Sequence, residues 1–211
     1  MREDLEQQEQ LDAIRGFWDD NKRWIVPLAF VVLASAAAFN GWKWWQSRLA
    51  DQAAQALQAM ESALAGQDVD KARAAYKVLA ADFGATAQAS LGGLQMARAL
   101  ASAGQLAEAR SVLEQVVREG GPEFSWVARV RLAGVMLDEG NAKGALDALG
   151  TDKPPRQFSP LVLDRRGDVQ AVLGNRDEAR ASWKTAADEF PEQSTSREIV
   201  QRKLQTLDSF K

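Results

Sequence analysis

Between Arg23 and Lys43 the chain reads WIVPLAFVVLASAAAFNGW, nineteen residues without a charge. No other feature limits the fold so strongly. At about 1.5 Å of rise per residue, a helix of this length reaches roughly 28 Å, close to the ~30 Å hydrocarbon core of a bilayer. Inside a soluble domain such a helix would need apolar cover on every side, which amphipathic neighbours do not supply. Tryptophans crowd both ends: Trp18 and Trp24 ahead, then Trp42, Trp44 and Trp45 behind, five of the seven in the chain. Indole rings favour the membrane–water interface, so these five are read as interfacial residues.

A cleavable signal peptide is the rival reading, since ASAAAF offers small residues spaced like a peptidase site. The leader argues against it. Residues 1–23 carry four Arg/Lys and seven Asp/Glu, an acidic balance where a signal peptide would be basic. The expectation is an uncleaved anchor over 24–42, with a tail over 1–23 and a large domain over 43–211. Arg15, Lys22 and Arg23 before the span outnumber Lys43 and Arg48 after it, which favours the tail inside. In a bacterium, that places the tail in the cytoplasm and residues 43–211 in the periplasm.

Composition excludes much chemistry. Without cysteine there are no disulfides or thiolate sites, and without histidine the usual general base and commonest metal ligand are missing. Neither a carboxylate pair nor a Ser–Lys arrangement suggests catalysis, so no enzyme activity, cofactor or metal is expected. Asp68 and Asp70 in DVD are turn residues on this reading, short of the six or more oxygens that calcium demands. Residues 49–211 carry 20 Lys/Arg and 22 Asp/Glu with the signs interspersed, which is no nucleic-acid footprint.

The large domain repeats itself. GQDVDKARAAYKVL, GQLAEARSVLEQVV, GNAKGALDALG and GNRDEARASWKTAA share alanines at Ala72, Ala109, Ala145 and Ala179, spaced by 37, 36 and 34 residues. A period near 34 with helix–turn–helix content marks tetratricopeptide-like repeats. Each alanine opens a second helix, B, where it packs against the first, A; a larger side chain would push the pair apart. Tyr76, Leu113, Leu149 and Trp183 return to the same face one turn later. Gly104, Gly140 and Gly174 occupy the A–B turn, which favours positive φ. Gly66 lies one residue further from its alanine, so the first turn is expected to be one residue longer.

Helix A should bury Leu91, Leu94, Ala97 and Leu100 in the second repeat. The third has Val127, Val130, Ala133 and Met136 or Leu137, and the fourth, more loosely, Leu161, Leu163, Gly167 and Val169. In the third repeat helix B is short, and GTDKPPRQFSP replaces its end with a proline-rich crossover. A last helix, with Thr195 and Glu198 spaced as a capping box and a stripe of Ile199, Val200, Leu204 and Leu207, covers the end of the stack. The fold class is therefore all-α: one N-terminal transmembrane helix, then a tetratricopeptide-repeat-like solenoid with a C-terminal capping helix. Between Leu28 and Ala65 only Gly41 weakens the helix, so the span either runs on into the first repeat or breaks around Gly41 to Ser47.

Three stretches carry a family resemblance: EQLDAIRGFWDDNKRW before the span, GWKWWQSRLADQA after it, and LVLDRRGDVQAVLGNRDEARASWKTA near the end. They are similar to the YfgM-type proteins, the tetratricopeptide ancillary subunits of the bacterial SecYEG translocon. The resemblance covers nearly the whole chain in the same order, and the flanks of the anchor are its most specific part. It implies a single-span inner-membrane protein with periplasmic repeats, associated with the translocon and with the membrane-anchored periplasmic chaperone PpiD. It implies no catalytic residues.

Two surfaces are candidates for partners. In the tail, Leu11, Ile14, Phe17 and Trp18 share one helical face opposite Glu9, Asp12 and Asp19. That face either lies on the bilayer or docks a cytoplasmic protein; the acids argue mildly against lipid alone. In the solenoid the concave face is lined by A helices. Counted from the shared alanines, Leu94, Arg98, Val130, Gly134, Leu137, Asp164 and Asp168 face it, a groove of mixed polarity suited to an extended or helical segment. Three roles fit such a groove: an adaptor beside the translocon, a chaperone that binds unfolded clients directly, or a scaffold in another envelope complex.

Overall fold

The computed structural model describes the backbone of residues 2–209, and the side-chain surroundings of 15–18 and 20–209. Among the described residues it is all helical. The elements are α1 (Arg2–Ala65), α2 (Val69–Phe83), α3 (Ala87–Ser102), α4 (Leu106–Glu119) and α5 (Pro122–Asp138), followed by α6 (Ala142–Leu149), α7 (Ser159–Val172), α8 (Arg176–Glu189) and α9 (Thr195–Ser209). The chain divides after Arg48 into two compact units.

In the first unit α1 is the one helix, among the described residues, long and apolar enough to cross a membrane. From Trp24 to Trp42 no side chain is buried. Pro27 lies inside the helix, where its missing N–H gives up one backbone bond, and the helix continues through Gly41. Beyond the apolar run the rings organise the nearby cations. Trp42 and Trp45 lie 5.5 Å apart, the Lys43 ammonium stands 4.9 Å from the Phe39 ring, and the Arg48 guanidinium 4.5 Å from Trp44. Such contacts combine an apolar body with a wet, charged tip.

In the second unit, the end of α1 is helix A of the first repeat, burying Ala53, Leu57, Met60 and Ala63. Helices α2, α4, α6 and α8 are the B helices. Ala72, Ala109, Ala145 and Ala179 are each fully buried at their first turns, and Tyr76, Leu113, Leu149 and Trp183 are buried one turn on. Each large member of that set is worth about 1.5–3 kcal/mol of burial. The buried side chains form three successive clusters: one from α1 to α5, a second around Ala145, Leu149 and Val162, and a third around Trp183 and Val200.

All four A–B turns share one geometry. Gly104, Gly140 and Gly174 have φ of 76°, 77° and 82°, and Gln67 has φ of 59°. The next residue's N–H returns to a carbonyl five residues back in each: Asp68 to Ala63, Gln105 to Leu100, Asn141 to Met136 and Asn175 to Gln170, at 2.8–3.0 Å. This is the Schellman closure. The first turn is therefore no longer than the others. Gln67, five residues before Ala72, takes the left-handed conformation that glycine takes elsewhere, and Gly66 sits one place early.

Three other expectations are corrected. Leu91, in the second turn of α3, and Leu161, in the first turn of α7, are exposed, and in α7 it is Val162 that is buried. The cap of α9 is Ser194, whose hydroxyl accepts from the Arg197 N–H at 3.2 Å, so Thr195 is the first helical residue. Within the α9 stripe Val200 is buried, while Ile199 is 43% exposed. The turn carboxylates have local duties: Asp68 caps α2 by accepting from Lys71 N–H at 2.9 Å, and Asp70 pairs with Arg73 at 2.6 Å.

Helix α6 stops after eight residues, at Gly150 with φ of 70°. Arg166 on α7 donates to the Gly150 carbonyl at 2.9 Å, tying the proline-rich crossover down. Pro160 sits in the first turn of α7, where a missing N–H costs nothing.

Candidate protein-binding groove

Neighbouring A helices meet through a repeated pair of positions. Glu61, Arg98, Gly134 and Asp168 each lie eleven residues before a shared alanine; Gln95, Arg131 and Arg165 each lie fourteen before theirs. The first set on one helix faces the second set on the next. At one end Gln95 donates to Glu61 at 2.8 Å. At the other, Lys203 on α9 reaches Asp168 and Asp164 on α7, each at 2.6 Å. Between these ends the pairing changes. Arg131 stands near Arg98, and the Arg131 guanidinium is pushed below its ordinary pKa first by burial and then by that like charge. Arg165 lies over Gly134, where an added Cβ would stand 3.4 Å from the guanidinium carbon.

These central residues line one cavity of about 400 Å³, together with Ala97, Leu113 and Asp138. Arg131 is held by donating to the Leu94 carbonyl at 3.0 Å, and Arg165 by Asp168 at 3.2 Å. The Arg165 Nε is buried without a hydrogen-bond partner. Asp138 is the cavity's carboxylate; among the described residues, no hydrogen bond or ion pair joins it to the three arginines.

Against this geometry the candidate residues separate. Arg98 and Gly134 line the cavity. Leu94 is buried in the core and contributes its backbone carbonyl, while Val130 and Leu137 are half-buried against the second cluster. Asp164 and Asp168 are half-buried under Lys203, and Trp183 Nε1 donates to the Asp164 carbonyl at 3.1 Å and to Asp168 Oδ1 at 3.2 Å. The Asp164 carboxyl is raised above the usual range, chiefly by burial, with Lys203 acting the other way. Sequence reasoning passed over Arg131, Arg165 and Lys203. The 34-residue spacing of the first two was the available signal.

At the tail, Phe17 and Trp18 are exposed, and the side chains of Leu11 and Ile14 lie outside the described residues. Trp24, Trp42, Trp44 and Trp45 are also exposed.

Stacked helix pairs beside an open, side-chain-lined groove define a helical-repeat architecture. Residues 15–209 match the model of the tetratricopeptide repeat-like domain, and the chain belongs to that family. It is 29% identical to a Neisseria gonorrhoeae protein, over 96% of this chain and 98% of that one. It is 27% identical to an Escherichia coli protein, over 94% and 95%, and to one from Aggregatibacter actinomycetemcomitans, over 96% and 98%. All three relatives carry the name ancillary SecYEG translocon subunit.

Proposed function

We propose that this protein is a membrane-anchored, non-catalytic adaptor at the bacterial Sec translocon. Residues 24–42 anchor it in the inner membrane with residues 1–23 in the cytoplasm, and the repeat unit works in the periplasm. There it holds a PpiD-type chaperone where chains emerge. Tethering alone raises the partner's effective concentration, to about the millimolar range for short links. The observation that carries this reading is colinear similarity to ancillary translocon subunits across both the apolar helix and the repeats. Generic repeat similarity would account for the repeats alone.

The test is photo-crosslinking in native membranes from a probe at Asp138, which lines the groove and is exposed. Discrete products containing translocon subunits and one periplasmic chaperone are expected. A smear of many secreted proteins would favour direct client binding instead. Cytoplasmic products alone would overturn the orientation.

A further inference from the structure

The two ends of the A-helix ladder are internally matched, Glu61 with Gln95 and Asp168 with Lys203. Its centre is not. Arg98 and Arg131 line one cavity, and Arg165, paired with Asp168 on its own helix, lies over a glycine that offers no side chain across the groove. Two guanidiniums side by side repel, and a protein gains nothing for folding from placing them so. Both could be accommodated by an anion between them, because guanidinium presents a planar fork of donors that fits a carboxylate. The cavity is open and holds one carboxylate of its own, Asp138, against three arginines. Its wall also offers the half-buried Ala101, apolar surface that a free inorganic anion would not use.

We infer that the cavity between α3, α5 and α7 binds an acidic protein segment, with Asp or Glu side chains seated against Arg98, Arg131 and Arg165. This rests on the adaptor reading and deepens it by giving the partner's chemistry: an extended stretch whose alternate side chains are carboxylates. A segment of that kind places successive acids on one face, about 7 Å apart, so that one segment presents a row of carboxylates to the cavity.

The experiment uses the full chain in nanodiscs of neutral lipid and a short labelled peptide, N-acetylated and C-amidated, with glutamate at alternate positions. A glutamine twin is the control. The glutamate peptide should bind at least about tenfold more tightly than its twin, and its affinity should fall as salt rises. Arg98→Glu should weaken binding by about tenfold or more, and Arg98→Lys should retain most of it. Arg98 is exposed, so Arg98→Lys should leave the melting temperature unchanged, and Arg98→Glu, which sets an opposite charge near Arg131, should not lower it. If Arg98→Glu does not fold, Arg98→Gln replaces it, with a smaller loss expected.

Equal binding of the two peptides, or an Arg98→Glu variant that binds like the parent, would overturn the inference. So would tighter binding of a glutamate-free peptide with a free C-terminus, which would assign the site to a terminal carboxylate. Arg98-dependent recruitment to anionic vesicles in place of the peptide would assign it to lipid headgroups. Crosslinks from Asp138 to translocon subunits without glutamate-peptide binding would overturn this inference alone. Peptide binding with only cytoplasmic crosslinks would overturn the adaptor reading alone.

Discussion

The indole of Trp183 lies directly against Gly167: a Cβ added at Gly167 would stand 2.4 Å from Trp183 Cδ1. The glycine thus lets α8 approach α7 closely enough for the indole N–H to reach Asp168 and the Asp164 carbonyl. Gly167→Ala should force the two helices apart and cost about 1–3 kcal/mol, despite alanine's better helix propensity. Chemical denaturation of the full chain in detergent checks this. Unchanged stability would mean that the helices shift at little cost.

Gln67 holds a backbone conformation that costs a non-glycine residue about 1–2 kcal/mol. Gln67→Gly should stabilise the repeat unit by roughly 0.5–1 kcal/mol, once the greater freedom of glycine in the unfolded chain is set against the relieved strain. That corresponds to a rise of about 1–4 °C in Tm, measurable by calorimetry. Gly104→Gln, at the equivalent turn, should lower Tm.

Tyr76 is the single tyrosine, so its titration can be followed by tyrosinate absorbance without interference from another phenol. Burial, and then the charge of Glu119, push its pKa from 10.0 up to about 12. The fold therefore prefers the neutral phenol. A raised folded-state pKa means that this contribution is fully present below pH 10.0 and is lost as pH rises towards about 12. The absorbance midpoint should stand well above that of the denatured chain, and Tyr76→Phe should remove that part of the alkaline loss of stability. Coincident midpoints in the folded and denatured chains would contradict the burial.

How much of this was legible depends on how local each cause is. The shared alanines were readable because close helix packing imposes one small residue per repeat at a fixed place. The long apolar helix was readable because nineteen uncharged residues in a row have few other uses. Gln67 was misread because glutamine carries no mark of positive φ; only its distance from Ala72 does. Val162 is buried in place of Leu161 because it lies seven residues, two helical turns, before the buried Val169 and so shares its face. Asp164 and Asp168 were counted as groove residues because their partner, Lys203, comes from 35 or more positions away, on a helix read only as a cover. The arginine ladder escaped because its meaning lies between helices, in what each side chain faces.

The short α6 and its proline-rich crossover leave a thin joint in the solenoid, where α5, α6 and α7 share the small buried cluster of Ala133, Ala145, Leu149, Val162 and Val169. Repeat arrays open locally, neighbour by neighbour, and such a joint is where opening starts. The arginine-lined cavity straddles that joint, with Arg131 on one bank and Arg165 on the other. An occupant held by both arginines therefore acts as a brace. It lowers the rate at which amides of α6 and α7 exchange with solvent, and whatever loosens the joint weakens its hold by the same free energy.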